Sequence, residues 1–209
     1  MSQQETILMG FSGKRRQGKD TACQEIIHAN HHLYDIRRYA FADALKQEAN
    51  RYLRECFGDG SHFLKSVGAD LTAPLEYQER TLYQWWGTMR RSSDPWVWIG
   101  KLAKRIKEDE PQIALISDVR LLAELGWVRG HGGKVVRIVR LNTDGSTYEE
   151  PDGLGGHITE TELDGIDLDF SIEADSVDEL KECSREMFDF FMEKGTFPVF
   201  RSKKFNRYI

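Results

Sequence analysis

Residue types suited to phosphate chemistry follow the first apolar run of the chain, in the segment 13–21 with the sequence GKRRQGKDT. The segment satisfies G-x-x-x-x-G-K, in which successive backbone N–H groups curl around phosphate oxygens and the next helix adds its positive N-terminal end. Lys19 would reach the β- and γ-phosphates of ATP, and Asp20 or Thr21 would contact Mg²⁺ directly or through water. The predicted ATP-binding residues of this segment are Gly13, Lys14, Arg15, Arg16, Gln17, Gly18, Lys19, Asp20 and Thr21.

The position of the hydroxyl group narrows the class of phosphate loop. Asp20 follows Lys19, and the hydroxyl is displaced to Thr21, as in small nucleotide kinases whose loop reads GKxT. This favours a kinase of small substrates over a motor ATPase. The alternative interpretation of the segment is a glycine-rich, basic surface turn.

A second polar pair follows another buried run. Asp118 and Arg120 come directly after the segment 113–117, at the point where side chains turn into the crevice of an α/β sheet. A kinase needs an arginine that holds the acceptor phosphate in line, so we expect Lys19, Asp118 and Arg120 to be catalytic. The alternative is an ion pair that joins this loop to the sheet. No adjacent catalytic glutamate and no NKxD-like segment for guanine are present.

The helical pattern over 79–91 has two distinct sides. Leu82, Trp85, Trp86 and Met89 share one side, where the two tryptophans are expected in the core. The opposite side offers bidentate donors, an amide and a glycine, and its residues are Arg80, Gln84, Gly87 and Arg91, with Thr88 at the margin. We interpret this side as a face for the acceptor, against the alternative of a plain solvated face.

Apolar runs of strand length alternate with helical patterns along the chain. The predicted strands are 6–11, 37–41, 112–117, 134–140 and 170–173. Three predicted helices cover 19–29, 79–91 and 121–129. A further helix is capped by Asp43 and runs to 56, and another runs from 95 until Pro111 with Trp96 in its core stripe. A last helix begins with the capping box of Ser176 and Glu179. Residues 58–78 have an irregular pattern. The alternation predicts an α/β fold with a parallel sheet covered on both faces.

Composition excludes several function classes. The 209 residues carry 29 Lys and Arg against 34 Asp and Glu, a net charge of −5, which argues against nucleic acid or an acidic membrane surface as partner. Three widely spaced cysteines are typical of reduced, buried thiols, and no run approaches the length of a membrane span. We therefore expect a soluble protein of the cytoplasm.

Residues 142–156 are rich in Gly, Asp, Glu and Thr, and a loop of this length predicts a lid over 142–161 that excludes water from the reaction. Arg137 or Arg140 at its base would stabilise transferred charge, although a strand-end arginine is more often on the surface. We assign Arg140 to the ATP site, and His157 is a candidate lid contact. The six histidines show no metal-ligand spacing.

Six motifs occur in order within residues 6–180: 13–21 (GKRRQGKDT), 41–46 (FADALK), 80–88 (RTLYQWWGT), 94–96 (DPW), 117–120 (SDVR) with Glu124, and 157–160 (HITE). Together they resemble the motifs of the bacteriophage deoxynucleoside monophosphate kinases. The chain departs from that family at Gln17, where a small hydroxyl residue is common, and at Thr81, where a basic residue is common. The resemblance implies that the acceptor nucleotide is bound by Lys46, Arg80, Gln84, Gly87, Thr88, Arg91, Trp96, Asp118, Arg120 and Glu124.

The resemblance also implies the fold and the reaction. We expect a single P-loop NTPase domain over 1–209, with a helical acceptor-site insertion over 58–111 and a lid over 142–161. The expected reaction is Mg²⁺- and ATP-dependent phosphorylation of deoxynucleoside monophosphates, in the host cytoplasm if the protein is encoded by a phage, with a homodimer left open. The alternatives are a kinase of the dephospho-coenzyme A or phosphomevalonate type, which share the GKD loop, and a non-catalytic, ATP-gated interaction protein.

Overall fold

A computed structural model describes residues 5–57, 75–149 and 158–194. Strands and helices alternate along these residues, as expected for an α/β fold. The elements are β1 Ile7–Ser12, α1 Lys19–Asn30, β2 Ile36–Tyr39, α2 Phe41–Phe57, α3 Leu75–Ser93, α4 Val97–Asp109, β3 Ile113–Ile116, α5 Leu122–Gly130, β4 Lys134–Arg140, α6 Ile158–Thr161, β5 Phe170–Ala174 and α7 Val177–Lys194.

The five strands form one sheet in the order β2-β3-β1-β4-β5, and every neighbouring pair is parallel. Helices α1 and α7 pack against each other and cover one face of the sheet, while α5 packs against β1 and β4. Because both faces are covered, the central strands consist mainly of apolar residues, and all four residues of β3 are buried. The predicted α/β class and parallel sheet are confirmed.

The described residues divide into two compact units. Ala40–Glu108 forms one unit, which contains α2, α3 and nearly all of α4. The parts of the chain before and after it form the other unit, which contains the whole sheet together with α1, α5, α6 and α7. The proposed boundaries of a single domain over 1–209 with an insertion over 58–111 stay a prediction.

Several element boundaries were predicted wrongly. The strand expected over 37–41 ends at Tyr39, and Phe41 already begins α2, so Asp43 lies in the first helical turn and is not the N-cap. Helix α3 begins at Leu75, so residues 75–78, which were expected to be irregular, are helical. The rest of that region, 58–74, lies outside the described residues. In each case the local pattern indicated the element but not its first residue.

Trp85, predicted in the core, is exposed, and so is Trp96, which the sequence left open between the core and a ligand cleft. Trp86 is buried, but the neighbouring Trp85 is 37% exposed, because its position on α3 lies at the edge of the apolar side. Trp96 is 57% exposed and precedes α4, which begins at Val97; the Asp94 carboxylate instead accepts a hydrogen bond from the Trp96 N–H at 3.0 Å. The core stripe of α4 therefore starts one residue later than predicted.

Two further predictions from composition concern the burial of the cysteines and the absence of a membrane span. Cys23 and Cys183 are buried cysteines that form no disulfide and lie in the core between the sheet, α1 and α7, whereas the side chain of Cys56 lies outside the described residues. Burial raises the pKa of the Cys23 thiol far above its ordinary range. Within the described ranges, no helix has the length and apolar character needed to cross a bilayer.

Candidate functional site

The connection between β1 and α1, which contains the predicted phosphate-binding motif, has three residues with positive φ angles. Gly13 and Gly18 have φ angles of 146° and 96°, and Arg16 has a φ of 56°. A Cβ at Gly13 would lie 2.4 Å from the Ile138 carbonyl oxygen, and one at Gly18 would lie 2.4 Å from the Leu180 Cδ2. Both the backbone conformation and the close neighbours therefore require glycine at these two motif positions.

Lys19 is the first residue of α1 and is 7% exposed. Its Nζ donates hydrogen bonds to the carbonyl oxygens of Gly13 at 2.7 Å and Lys14 at 2.6 Å. The ammonium group is thereby held across the start of the loop, beside the positive end of the α1 dipole. This is the electrostatic arrangement that a polyphosphate requires.

Two further residues of the loop make contacts away from it. The Gln17 side chain, 4% exposed, accepts a hydrogen bond from the Lys14 backbone N–H at 3.0 Å and donates one to the Tyr148 carbonyl oxygen at 3.4 Å. The Lys14 Nζ lies 3.7 Å from the Asp164 carboxylate. The loop is thus joined at two points to the part of the chain between β4 and β5.

A cavity of about 180 Å³ opens beside this loop, between the carboxyl ends of β1 and β4. The connection after β1 runs to β2 at one end of the strand order, and the connection after β4 runs to β5 at the other end. Connections that leave in opposite directions create a crevice at this position, where ligands of α/β sheets bind. The cavity is lined by Ser12, Gly13, Lys14, Gln17, Arg120, Arg137, Val139, Thr147, Thr159, Leu163 and Asp164.

Arg120 reaches the cavity from the connection between β3 and α5. Its Nη1 donates a hydrogen bond to the Thr159 carbonyl oxygen at 3.3 Å. Its backbone N–H and that of Leu121 donate to the Glu124 carboxylate at 2.8 and 3.0 Å, so Glu124 satisfies the first turn of α5. Asp118 is half-buried in the same connection. Arg120 is therefore a cavity residue, and Glu124 caps the first turn of α5.

Arg137, which the sequence named beside Arg140 as a candidate for stabilising transferred charge, lines the cavity. It pairs with Ser12 in the register of β1 and β4, and its Nη2 donates to the carbonyl oxygens of Leu163 at 2.9 Å and Ile166 at 2.8 Å. Desolvation lowers the pKa of Arg137, although nearby carboxylates act in the opposite direction. Arg140 is exposed, and its guanidinium lies 4.3 Å from the centroid of the Tyr148 ring. The sequence indicates this role for Arg137 only by placing a charged residue between two apolar ones, Val136 and Ile138, which are buried in the structure.

The predicted metal ligands lie at the start of α1. The Asp20 carboxylate is exposed and accepts a hydrogen bond from the Arg38 Nε at 2.9 Å, and Thr21 is half-buried. Among the described residues, no group of three or more His, Cys, Asp or Glu is arranged to hold a metal ion. One carboxylate and one hydroxyl are nevertheless compatible with Mg²⁺, because this ion usually takes its other ligands from phosphate oxygens and water.

The predicted acceptor residues of α2 and α3 lie in the other compact unit. Arg80, Gln84 and Arg91 are half-buried on α3, Thr88 is exposed, and the Arg91 Nη2 lies 3.5 Å from the Thr88 Oγ1. On α2, Lys46 is exposed, with its Nζ 5.9 Å from the centroid of the Tyr83 ring. Each of these side chains occupies a position where it can meet solvent or a ligand.

Gly87 has a packing role in that unit. It is buried, and a Cβ there would lie 2.7 Å from the Leu45 Cδ1 and 3.2 Å from an Arg91 nitrogen. The indole N–H of Trp98 donates to the Gly87 carbonyl oxygen at 3.5 Å. The absence of a side chain at Gly87 therefore lets α2 approach α3 and leaves room for the guanidinium of Arg91.

Glu48 is a site residue of α2 that sequence reasoning did not find. Its carboxylate accepts hydrogen bonds from the Trp86 Nε1 at 3.2 Å and the Arg90 Nε at 2.7 Å, and it is paired with Lys101 of α4. One carboxylate thus joins α4 to α2 and α3, the two helices that carry predicted acceptor residues. The partners of Glu48 lie about 40 to 50 positions away in the sequence, on α3 and α4, so no local pattern around Glu48 indicates these contacts.

The sheet-containing unit brings together most of the predicted ATP-binding and catalytic residues. Lys19 and Arg120 belong to one continuous arrangement with Gly13, Lys14 and Gln17 around the cavity. Arg15 and Arg16 lie on the same loop, Arg16 exposed, while His157 lies outside the described residues. No protein-family model matches the chain, and no curated protein is significantly similar to it. The geometry of the site is therefore the basis for a functional conclusion.

Proposed function

We propose that the chain is a kinase of the P-loop NTPase fold, which transfers the γ-phosphoryl group of ATP to deoxynucleoside monophosphates. The observation that carries the proposal is the glycine-constrained loop with its buried Lys19, which opens into a cavity lined by Lys14, Arg120 and Arg137. A backbone cradle beside several cations at the carboxyl edge of a parallel sheet suits a polyphosphate and a second phosphate together.

The proposed reaction is an in-line displacement. An oxygen of the acceptor phosphate forms a bond to the γ-phosphorus of ATP, the bond from that phosphorus to the β–γ bridging oxygen breaks, and ADP leaves with the electron pair. Lys19 neutralises charge on the β- and γ-phosphates, and Arg120 orients the acceptor phosphate. Mg²⁺, held with ATP near Asp20 and Thr21, would supply further charge neutralisation when bound.

The acceptor class is inferred from the unit that contains α3. Arg80 and Arg91 can form bidentate hydrogen bonds with a phosphate, and the Gln84 amide can read a base edge by donating and accepting at once. The ordered resemblance to the phage deoxynucleoside monophosphate kinases supports the same class. Asp20 directly after Lys19 is the one observation that also favours a dephospho-coenzyme A or phosphomevalonate type of kinase, whose loops share this feature.

The proposal is tested by ADP release in a coupled assay. Purified chain is supplied with Mg²⁺–ATP and, in separate reactions, each deoxynucleoside monophosphate, each ribonucleoside monophosphate, dephospho-coenzyme A and phosphomevalonate. We expect turnover with at least one deoxynucleoside monophosphate and a loss of that turnover in the Lys19→Met variant. Turnover only with a coenzyme A precursor or phosphomevalonate would replace the proposed acceptor class, and tight ATP binding without ADP formation would indicate a non-catalytic nucleotide-binding protein.

A further inference from the structure

The side chain of Gln17 joins the phosphate loop to a separate element, the turn formed by residues 140–148. We propose that Gln17 is a positioning residue that holds this turn, and with it Arg140, against the phosphate loop. The inference rests on the proposed function in taking the nucleotide as the ligand that Arg140 meets. It assigns to Gln17 a role distinct from direct contact with phosphate.

Both ends of the Gln17 amide are used, and the side chain is 4% exposed. The Oε1 accepts from the Lys14 backbone N–H at 3.0 Å, within the loop, and the Nε2 donates to the Tyr148 carbonyl oxygen at 3.4 Å, outside it. An amide can accept and donate at the same time across the length of its side chain. A serine or threonine hydroxyl at this position sits two bonds closer to the backbone and cannot span both partners.

The 140–148 turn has enough internal bonding to pass this restraint on to Arg140. The Tyr148 N–H donates to the Arg140 carbonyl oxygen at 2.8 Å, and the Asn142 N–H donates to the Ser146 carbonyl oxygen at 2.8 Å. Leu141 and Thr147 form an antiparallel bridge. The Arg140 guanidinium stacks 4.3 Å from the Tyr148 ring centroid. Fixing the Tyr148 carbonyl therefore fixes both the backbone and the side-chain platform of Arg140.

The location of the restraint links it to the nucleotide. Gln17 and Thr147 both line the cavity beside the phosphate loop, and Lys14, which is bonded to Gln17, lines it as well. Arg140 does not itself line the cavity, but the turn that carries it reaches the lining at Thr147, so Gln17 restrains the element from which we propose that Arg140 meets ATP. If Gln17 acts through Arg140, its contribution to ATP binding must depend on that arginine.

A double-mutant cycle on ATP affinity tests this dependence. Gln17→Met keeps the length of the side chain and removes both hydrogen bonds, whereas Gln17→Glu keeps the acceptor for Lys14 and removes the donor to Tyr148. We expect Gln17→Met to weaken ATP binding about tenfold in the wild-type background and less than about twofold in an Arg140→Met background. The Gln17→Glu variant should lose the same coupling. Equal effects of Gln17→Met in both backgrounds would overturn the proposal.

Hydrogen exchange gives a readout that does not depend on nucleotide or turnover. In the free protein, Gln17→Met should speed exchange of the backbone amides in 141–149, while those of α7, Val177–Lys194, exchange at the wild-type rate. Unchanged exchange in 141–149 would show that Gln17 does not hold the turn. If the cycle and the exchange behave as expected but no deoxynucleoside monophosphate is phosphorylated, the proposed reaction is wrong and the role of Gln17 stands.

Discussion

The carboxylate of Glu48 offers a quantitative test of how α2, α3 and α4 are held together. It lies on α2, its side chain is 13% exposed, and it joins Trp86 and Arg90 of α3 to Lys101 of α4. The informative substitution is Glu48→Gln, which keeps the size of the side chain and one acceptor oxygen but removes the charge. We expect it to destabilise this unit and to leave the sheet-containing unit folded.

The magnitude follows from the exposure of the partners. A hydrogen bond to a charged group contributes about 1.5–3 kcal/mol when buried, and an exposed ion pair contributes at most about 1 kcal/mol. The side chains of Arg90 and Lys101 are 35% and 40% exposed, so both contributions must be reduced for solvent screening. The expected loss of unfolding free energy in Glu48→Gln is therefore about 2 kcal/mol at neutral pH.

The pH dependence of that loss has a definite sign. Desolvation alone would raise the pKa of Glu48, but the hydrogen bonds and charges of Lys101 and Arg90 outweigh it and lower the pKa below its ordinary 4.5. A carboxylate whose pKa is lowered by folding contributes stability above its unfolded pKa, and that stability is lost as the pH falls through the folded value. The difference between wild type and Glu48→Gln should shrink steadily below about pH 4.5.

Urea unfolding followed by tryptophan fluorescence measures this difference at pH 7 and again at pH 3. Glu108→Gln is the matched control, because Glu108 pairs only across one turn with Lys104 and its side chain is 62% exposed. That control should lose less than about 0.5 kcal/mol. A loss in Glu48→Gln that is the same at both pH values, or no larger than that of Glu108→Gln, would refute the electrostatic account.

Three further outcomes follow from the sheet-containing unit. Lys19→Met should lower kcat/KM for ATP by at least about 10²-fold in the ADP-release assay, and an unchanged value would remove the lysine from the site. Gly18→Ala should lower the midpoint of thermal unfolding more than Gly132→Ala, because both have positive φ but only Gly18 has a neighbour, Leu180 at 2.4 Å, in the way of a Cβ. Cys23 should resist iodoacetamide at pH 8 in the folded protein, since burial raises the pKa of its thiol; labelling at the rate of the urea-unfolded chain, read by peptide mass spectrometry, would contradict this.

The sheet was predictable because its strands are buried on both faces. A parallel strand covered by helices on each side needs apolar residues at successive positions, and β1 and β3 carry such runs. Exposure of Trp85 and Trp96 was not predictable in the same way. Helical periodicity assigns a side to each residue, but the width of the covered strip depends on which helix packs there, and that is a tertiary fact.

The conformation of the 13–21 loop was predictable and the full set of cavity cations was not. Gly13, Gly18 and Lys19 are local in sequence, so their spacing alone specifies the shape of the loop. Arg137 belongs to the cavity only because β4 pairs with β1 and sets it beside Ser12. Strand order is decided by the packing of the whole sheet, so the sequence left Arg137 and Arg140 as equal candidates at the base of the predicted lid.

The way the cavity cations are satisfied explains how a chain of net charge −5 can offer a positive site. Buried cations need hydrogen-bond partners. Lys19, Arg120 and Arg137 each donate to main-chain carbonyl oxygens, and Lys14 pairs with the carboxylate of the half-exposed Asp164. A carbonyl oxygen satisfies a donor without cancelling its charge, whereas a carboxylate would neutralise it. Charged phosphate oxygens are also the stronger acceptors, so a nucleotide can replace these carbonyls with a net gain.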